Sequence, residues 1–329
     1  MKRLFVVLAI LFSMLAAGCG QTVNGDALVQ STVAPGATSS PNAKQYRVAL
    51  VMKTLTNPFF VEMEKGARKA EAELGLQLIV KTGAKETSIE QQIQIVEDMI
   101  LQKVDAIVIA PGSSTELVSV LKKAQDSGIV IINIDNKLDA AKSAKEGLKN
   151  VPFVSVKNDE GAALAVEFIC AKAGNKGSAI ILEGIRDAEN ARLRKEGAEN
   201  AFKKHPDITV VASESANWKI DEAYAQAEKI FLKHPEVTLA FCANDMMALG
   251  LVQYLKEAGR TDVLVAGFDN LDDARTAIRE GRMQATIDQQ AALQGYKGVE
   301  MAISLLNDHP VEQLTYVPVR LVTAETLSD

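Results

Sequence analysis

Residues 106–136 read AIVIAPGSSTELVSVLKKAQDSGIVIINIDN, and their alternation decides the fold. Two Val/Ile runs, Ala106–Ala110 and Ile129–Ile134, flank an amphipathic segment, Glu116–Ser127. The runs are apolar at nearly every position rather than every second one. That pattern predicts strands buried on both faces, as in a parallel sheet with helices on either side. Upstream, Tyr46–Met52 and Leu76–Val80 read as strands, and Pro58–Leu74 and Ile89–Lys103 as helices. Pro58 suits a first helical turn and Gly75 a stop. After Val151 the series begins again, with strands at Val154–Val156, Ala179–Leu182, Thr209–Ala212, Leu239–Cys242 and Val263–Ala266. Helices Gly161–Ala173, Asn190–Lys204, Asp221–Lys233 and Met246–Ala258 fill the gaps. Two successive strand–helix series predict an α/β fold of two doubly wound parallel-sheet lobes. Ligands of such sheets bind outside the carboxyl ends of the strands, which here places the site in a cleft between the lobes.

The chain has 329 residues, a formal net charge of -6 and 47% hydrophobic residues, which is enough for two domains. The acidic balance argues against nucleic acid as a partner. Three cysteines imply no disulfide framework. Cys170 and Cys242 sit in apolar surroundings and read as buried free thiols. His205, His234 and His309 each precede a proline, so they belong to turns rather than to a converging catalytic or metal cluster. No G-x-S-x-G elbow, H-E-x-x-H pair, P-loop or G-x-G-x-x-G stands where its chemistry would need it.

The N-terminal segment reads as targeting. Lys2 and Arg3 precede an apolar run from Leu4 to Leu15, too short to span a bilayer, for which about 20 residues are needed. The following Leu15-Ala16-Ala17-Gly18-Cys19 resembles a bacterial lipoprotein signal, with Cys19 as the residue that takes the lipid. The usual pattern often has Leu three before the Cys. Here Ala16 holds that place and Leu15 is one further back. An ordinary signal peptide with an incidental cysteine is the alternative. Residues 20–44, rich in Gly, Ser, Thr, Ala, Pro and Asn, read as a flexible tether.

Chemistry is expected at the strand ends. After the first strand come Asn57, Phe59 and Phe60, read as a sugar-stacking wall with a hydroxyl-binding amide. The alternative is an apolar entry to the helix. Asp135-Asn136, Asn244-Asp245 and Phe268-Asp269 close three further strands, and Asx groups suit vicinal hydroxyls. The competing role for each is a helix N-cap, foremost for Asp245. Arg192 and Trp218 offer a charged fork and a large ring. A solvated helix charge and a packed core ring are their alternatives.

At these residues the chain resembles the ribose-type branch of periplasmic sugar-binding proteins, from about Arg47 to Val322. TLTNPFF (54–60), NDMMALG (244–250), VAGFD (265–269) and ATIDQ (285–289) match in order and spacing. The resemblance implies that Asn57, Phe59, Phe60 and Asp135 contact sugar from the first lobe. Arg192, Trp218, Asn244, Asp269 and Gln289 would contact it from the second lobe and hinge, with Phe268 lining the same pocket. Asn136 stands where the ribose binders carry Arg, Ala110 where they carry Asn, and Trp218 where they carry a stacking Phe. These departures predict a preference for a hexose, inositol or polyol over ribose.

The resemblance also implies three interlobe crossings near Val156-Lys157, Gln289-Gln290 and Arg320-Leu321. The first lobe is then residues 45–156 with 290–320, and the second 157–289 with 321–329, after a signal at 1–19 and the tether at 20–44. The Asp/Asn calcium loop of some galactose binders is absent, and neither a metal nor a cofactor is expected. The implied protein is a monomeric, extracytoplasmic, lipid-anchored binder, not an enzyme. It delivers a small sugar or polyol to an ABC permease with its ATPase subunit. The alternatives are a sensor for chemotaxis or signalling, a repressor, which the signal-like leader argues against, and a carbohydrate-active enzyme. The enzyme would use Asp135 and Asp269 as acid and nucleophile, but nothing nearby is expected to raise one carboxyl pKa.

Overall fold

The computed structural model describes residues 45–327. The signal-like segment, Cys19 and the 20–44 stretch lie outside the described residues. In chain order the elements are β1 (Arg47–Met52), α1 (Pro58–Leu74), β2 (Gln77–Thr82), α2 (Ile89–Leu101), β3 (Ala106–Ile109), α3 (Val118–Asp126), β4 (Val130–Ile134), α4 (Ala140–Glu146) and β5 (Phe153–Ser155). The series resumes with α5 (Asn158–Lys172), β6 (Lys176–Glu183), α6 (Glu189–Phe202), β7 (Asp207–Ser215), α7 (Ile220–Lys233), β8 (Val237–Cys242), α8 (Asp245–Glu257), β9 (Leu264–Ala266), α9 (Asp272–Arg279) and β10 (Ala285–Asp288). The chain ends with α10 (Ala291–Leu306), β11 (Leu314–Tyr316) and β12 (Arg320–Thr323).

Two six-stranded sheets form, in the orders β2-β1-β3-β4-β5-β11 and β7-β6-β8-β9-β10-β12. Every pairing is parallel except β10 with β12. Within each sheet the order reverses beside its first strand, which opens a crevice at the carboxyl ends. The all-apolar strands behave as such strands must. Ala49, Val51, Ile107 and Ile109 face one core with α2 and α3. Val48, Leu50, Met52, Ala106 and Val108 face the other with α1 and α10. In the second sheet Ile287 points at α5, where a Cβ on Gly161 would meet it at 3.4 Å. Its neighbour Thr286 points the other way and bonds Asp245 at the start of α8.

The chain passes between the sheets after β5, after β10 and after β11. The second passage turns on Gln290, whose φ of 52° is left-handed. Its Nε2 donates to Pro318 O at 2.6 Å, which ties the second passage to the third. Several short elements had no expectation in the sequence: α4, α9 and the strands β10, β11 and β12.

Helix α10 returns to the first sheet and packs on α1 at a glycine crossing. A Cβ at Gly66 would lie 1.7 Å from Ala292 O, and one at Gly295 would lie 2.1 Å from Met63 O. Both would strike backbone, so the helices would have to separate. In an ordinary helix Gly→Ala gains about 1 kcal/mol. Here Gly66→Ala should instead cost about 1–3 kcal/mol by overpacking. Urea unfolding of the two proteins checks the sign.

Candidate ligand-binding site

The carboxyl ends of both sheets converge on one small cavity. From the first sheet come Lys53 just after β1, Asn57, Phe59 and Phe60 at the start of α1, Glu86 before α2, and Asp135 after β4. From the second come Asn190 and Arg194 on α6, Trp218 before α7, Asn244 after β8, Asp269 after β9, and Gln289 after β10.

Two of these residues do double duty. Asn57 and Asn244 are the N-caps of α1 and α8, accepting from Phe59 N and Met247 N. Their amide nitrogens stay free to reach Glu86 Oε1 at 2.8 Å and Trp218 O at 3.4 Å. Phe59 and Phe60 are buried rather than exposed. Their rings meet edge to face, with centroids 5.0 Å apart. Trp218 lies over Gly184, where a Cβ would come within 2.1 Å of the indole, so only glycine admits the ring. Asp135, Trp218 and Asp269 have φ of 63°, 67° and 127°. Each such non-glycine conformation costs roughly 1–3 kcal/mol and persists where its surroundings hold it, commonly at a site.

Charge is concentrated here. Lys53 Nζ stands 2.8 Å from Asp135 Oδ2, and 5.5 Å from the centroid of the Phe60 ring. Arg194 stacks 3.7 Å from the centroid of Phe268. Its nitrogens donate to Asn158 Oδ1, Ala243 O and Gln289 Oε1 at 2.8, 2.8 and 3.2 Å. Asp269 lies 3.5 Å from Arg194 Nη1 and accepts from Gln289 Nε2 at 2.6 Å. Burial pushes the Asp269 carboxyl well above its ordinary value, outweighing the pull of Arg194. It raises Glu86 and lowers Arg194 in the same way. Two buried polar atoms on the cavity wall, Asn190 Oδ1 and Trp218 Nε1, have no hydrogen-bond partner in the protein. One acceptor and one donor are therefore left for a guest, because buried polar groups otherwise find partners.

Of the residues read from the sequence, the cavity gathers Asn57, Phe59, Phe60, Asp135, Trp218, Asn244, Asp269 and Gln289. Three others stand outside its lining. Arg192 turns away on α6 and donates to Asp187 O, whereas Arg194 shares a face with Asn190, one turn earlier. Asn136 is wholly buried, and its amide serves Pro111 O and Asn190 N. Phe268 supports Arg194 from behind. Lys53, Glu86, Asn190 and Arg194 were missed. The i, i+4 spacing of Asn190 and Arg194 was the available signal for that pair. The raised Asp269 carboxyl also corrects the expectation that nothing perturbs it. Asp245 is no cap. Its carboxylate accepts from Leu271 N at 2.9 Å and Thr286 Oγ1 at 2.7 Å. Among the described residues no cluster of His, Cys, Asp or Glu is placed to hold a metal ion. Cys170 and Cys242 are buried and free, and burial pushes the Cys170 thiol up to about 12.

Comparison with known proteins places this architecture. Residues 48–310 match the periplasmic binding protein domain. The chain belongs to the periplasmic binding protein family. Relatives of this binding protein include the D-ribose/D-allose-binding protein of Pseudomonas aeruginosa, 39% identical over 84% of this chain and 89% of that one. The D-allose-binding periplasmic protein of Escherichia coli is 34% identical over 85% and 90%. A solved ABC transporter periplasmic solute-binding protein from Actinobacillus succinogenes 130z, with bound D-allose, superposes with a TM-score of 0.82 at 37% identity. That match covers 86% of this chain and 99% of the other. These relatives are binding proteins, and the family is extracytoplasmic.

Burial gives Asp245 a testable signature, because its pKa rises from 3.8 to about 6. Between those values the folded state holds a proton that the unfolded chain has lost, so this group makes stability fall as pH rises, and the cost is complete above about 6. Asp245→Asn removes the titration and keeps an acceptor for Leu271 N. Relative to this variant, the parent should lose about 2–3 kcal/mol between pH 4 and pH 7. Urea denaturation at both pH values checks it. A parallel pH dependence in the two proteins refutes it.

Proposed function

We propose that this binding protein closes around one molecule of a monosaccharide, a hexopyranose of the D-allose kind, and presents it to the permease of an ABC importer without altering it. The observation that carries the reading is the cavity wall. Aromatic faces from both lobes enclose a ring of carboxylates, amides and cations, and Asn190 Oδ1 and Trp218 Nε1 are left unpartnered. Apolar C–H faces with vicinal hydroxyls at their edges fit such a wall. The named ligands of the relatives in Pseudomonas aeruginosa, Escherichia coli and Actinobacillus succinogenes point the same way.

The preference over ribose does not rest on Asn136, which is turned away from the cavity. It rests on Lys53, which brings a charged donor beside Asp135, and on the relatives in Escherichia coli and Actinobacillus succinogenes, which are named for D-allose alone. A carboxylate pair acting on a glycosidic bond is disfavoured by the protein itself, because Gln289 and Arg194 already engage Asp269.

Calorimetry with D-allose, D-ribose, D-galactose and myo-inositol tests the reading, alongside chromatography of the recovered sugar. D-allose should bind most tightly and return unchanged. Tighter binding of ribose, or any product, overturns it. Trp218→Ala should weaken binding by about 1–4 kcal/mol while the fold survives.

The anchor is proposed on the same footing. Cys19, the cysteine that follows small residues at the end of the apolar run, carries the lipid, and residues 20–44 are the tether. Cys19→Ala should move the protein from the membrane fraction to the soluble one or stop its processing. Unchanged partition and processing in cell fractionation would refute it.

A further inference from the structure

Helix α6 lacks a cap of its own. The residue before it, Ala188, has the extended backbone of a capping position but no side chain to accept a bond. The first N–H groups of a helix have no partner within it. Here two of them are met from the first lobe. Glu189 N donates to Ser114 Oγ at 3.0 Å, and Asn190 N donates to Asn136 Oδ1 at 3.2 Å. Both acceptors are wholly buried. Asn136 is held in place by its own Nδ2, which donates to Pro111 O at 3.0 Å. Beside this pair the Asp187 carboxylate accepts from Ser113 Oγ and from Thr115 Oγ1.

None of Ser114, Asn136, Asp187 or Glu189 lines the cavity. The contacts join the loop after β3 and the end of β4 to the loop after β6. The passages between lobes follow β5, β10 and β11; in the second sheet β10 and β12 lie toward the edge opposite β6, whereas in the first sheet β5 neighbours β4. Bonds that join the lobes outside those passages are broken when the lobes part, so they belong to the closed arrangement.

We propose that α6 is capped in trans. The first lobe supplies the acceptors that the helix's own sequence omits, and Ser114 and Asn136 thereby set how strongly the lobes close, and how tightly ligand is held, without touching it. The affinity half of this proposal rests on the binding function above; the cap itself does not. It also gives Asn136 a task that explains its burial.

Amide hydrogen exchange on the full chain, saturated with D-allose so that the lobes are closed, tests the cap directly. Ser114→Ala should speed exchange at Glu189, and Asn136→Ala at Asn190, by about 3- to 10-fold, the scale of one lost hydrogen bond. Ser114→Thr, which keeps the hydroxyl, should restore it. D-allose affinity should fall about 3- to 10-fold in both alanine variants. Ala188→Ser gives the helix a cap of its own. It should raise the unfolding midpoint of the ligand-free protein yet weaken D-allose binding, a split that simple structural damage does not produce. Unchanged exchange in both alanine variants overturns the proposal. So does parental affinity in variants whose amides exchange faster, or parental affinity in Ala188→Ser. If the parent shows no heat with D-allose, the functional reading fails, and the same exchange comparison with whichever of the other sugars gives heat decides the cap.

Discussion

The cleft depends on one buried guanidinium. Arg194 reaches from α6 across the mouths of three other elements, binding Asn158 at the start of α5, Ala243 after β8 and Gln289 after β10. Phe268 closes its underside. Desolvating such a charge is costly, and burial indeed depresses its pKa, with Asp269 the largest opposing influence. The cost is met because every partner is fixed by secondary structure, so the fork is held where the strand ends meet. Remove it, and Asp269 is left as a buried carboxylate held only by Gln289.

The two sides of the cavity divide the work differently. In the second lobe Arg194, Asp269 and Gln289 engage one another, while Asn190 Oδ1 and Trp218 Nε1 are left over. In the first lobe the Lys53–Asp135 pair and the Asn57–Glu86 contact are shorter chains with fewer supports. Positive φ at Asp135, Trp218 and Asp269 places strained backbone on three of the turns that line the cavity.

Much of this was legible in the sequence because parallel strands must be apolar throughout. The apolar runs of β1, β3, β4 and β8 announced themselves, and function lay at their ends by topology. The short edge strands β11 and β12 are partly exposed and carry no such run, so periodicity passes over them. Arg192 and Arg194 are separated only by helical phase. A two-residue offset moves a side chain about 200° around the helix, and the choice needed Asn190 as a reference. Lys53 and Glu86 look like surface charges, because nothing local says that the other lobe will cover them. Asn136 reads as facing ligand because it closes a strand and stands where the ribose binders carry Arg. Here it has a helix start from the other half of the chain.

Helix α10 has a consequence for how this chain comes to be folded. It covers a face of the first sheet, yet it lies at residues 291–306, after α5 to β10 of the second lobe. During synthesis or passage through a membrane, β1 to β5 emerge with that face bare, and α1 waits for the glycine surfaces that fit it. The second lobe, continuous from α5 to β10, can assemble most of its core meanwhile. The first part of the polypeptide to appear is thus among the last to be completed. A nascent chain halted before α10 exposes the apolar face that chaperones and proteases recognise.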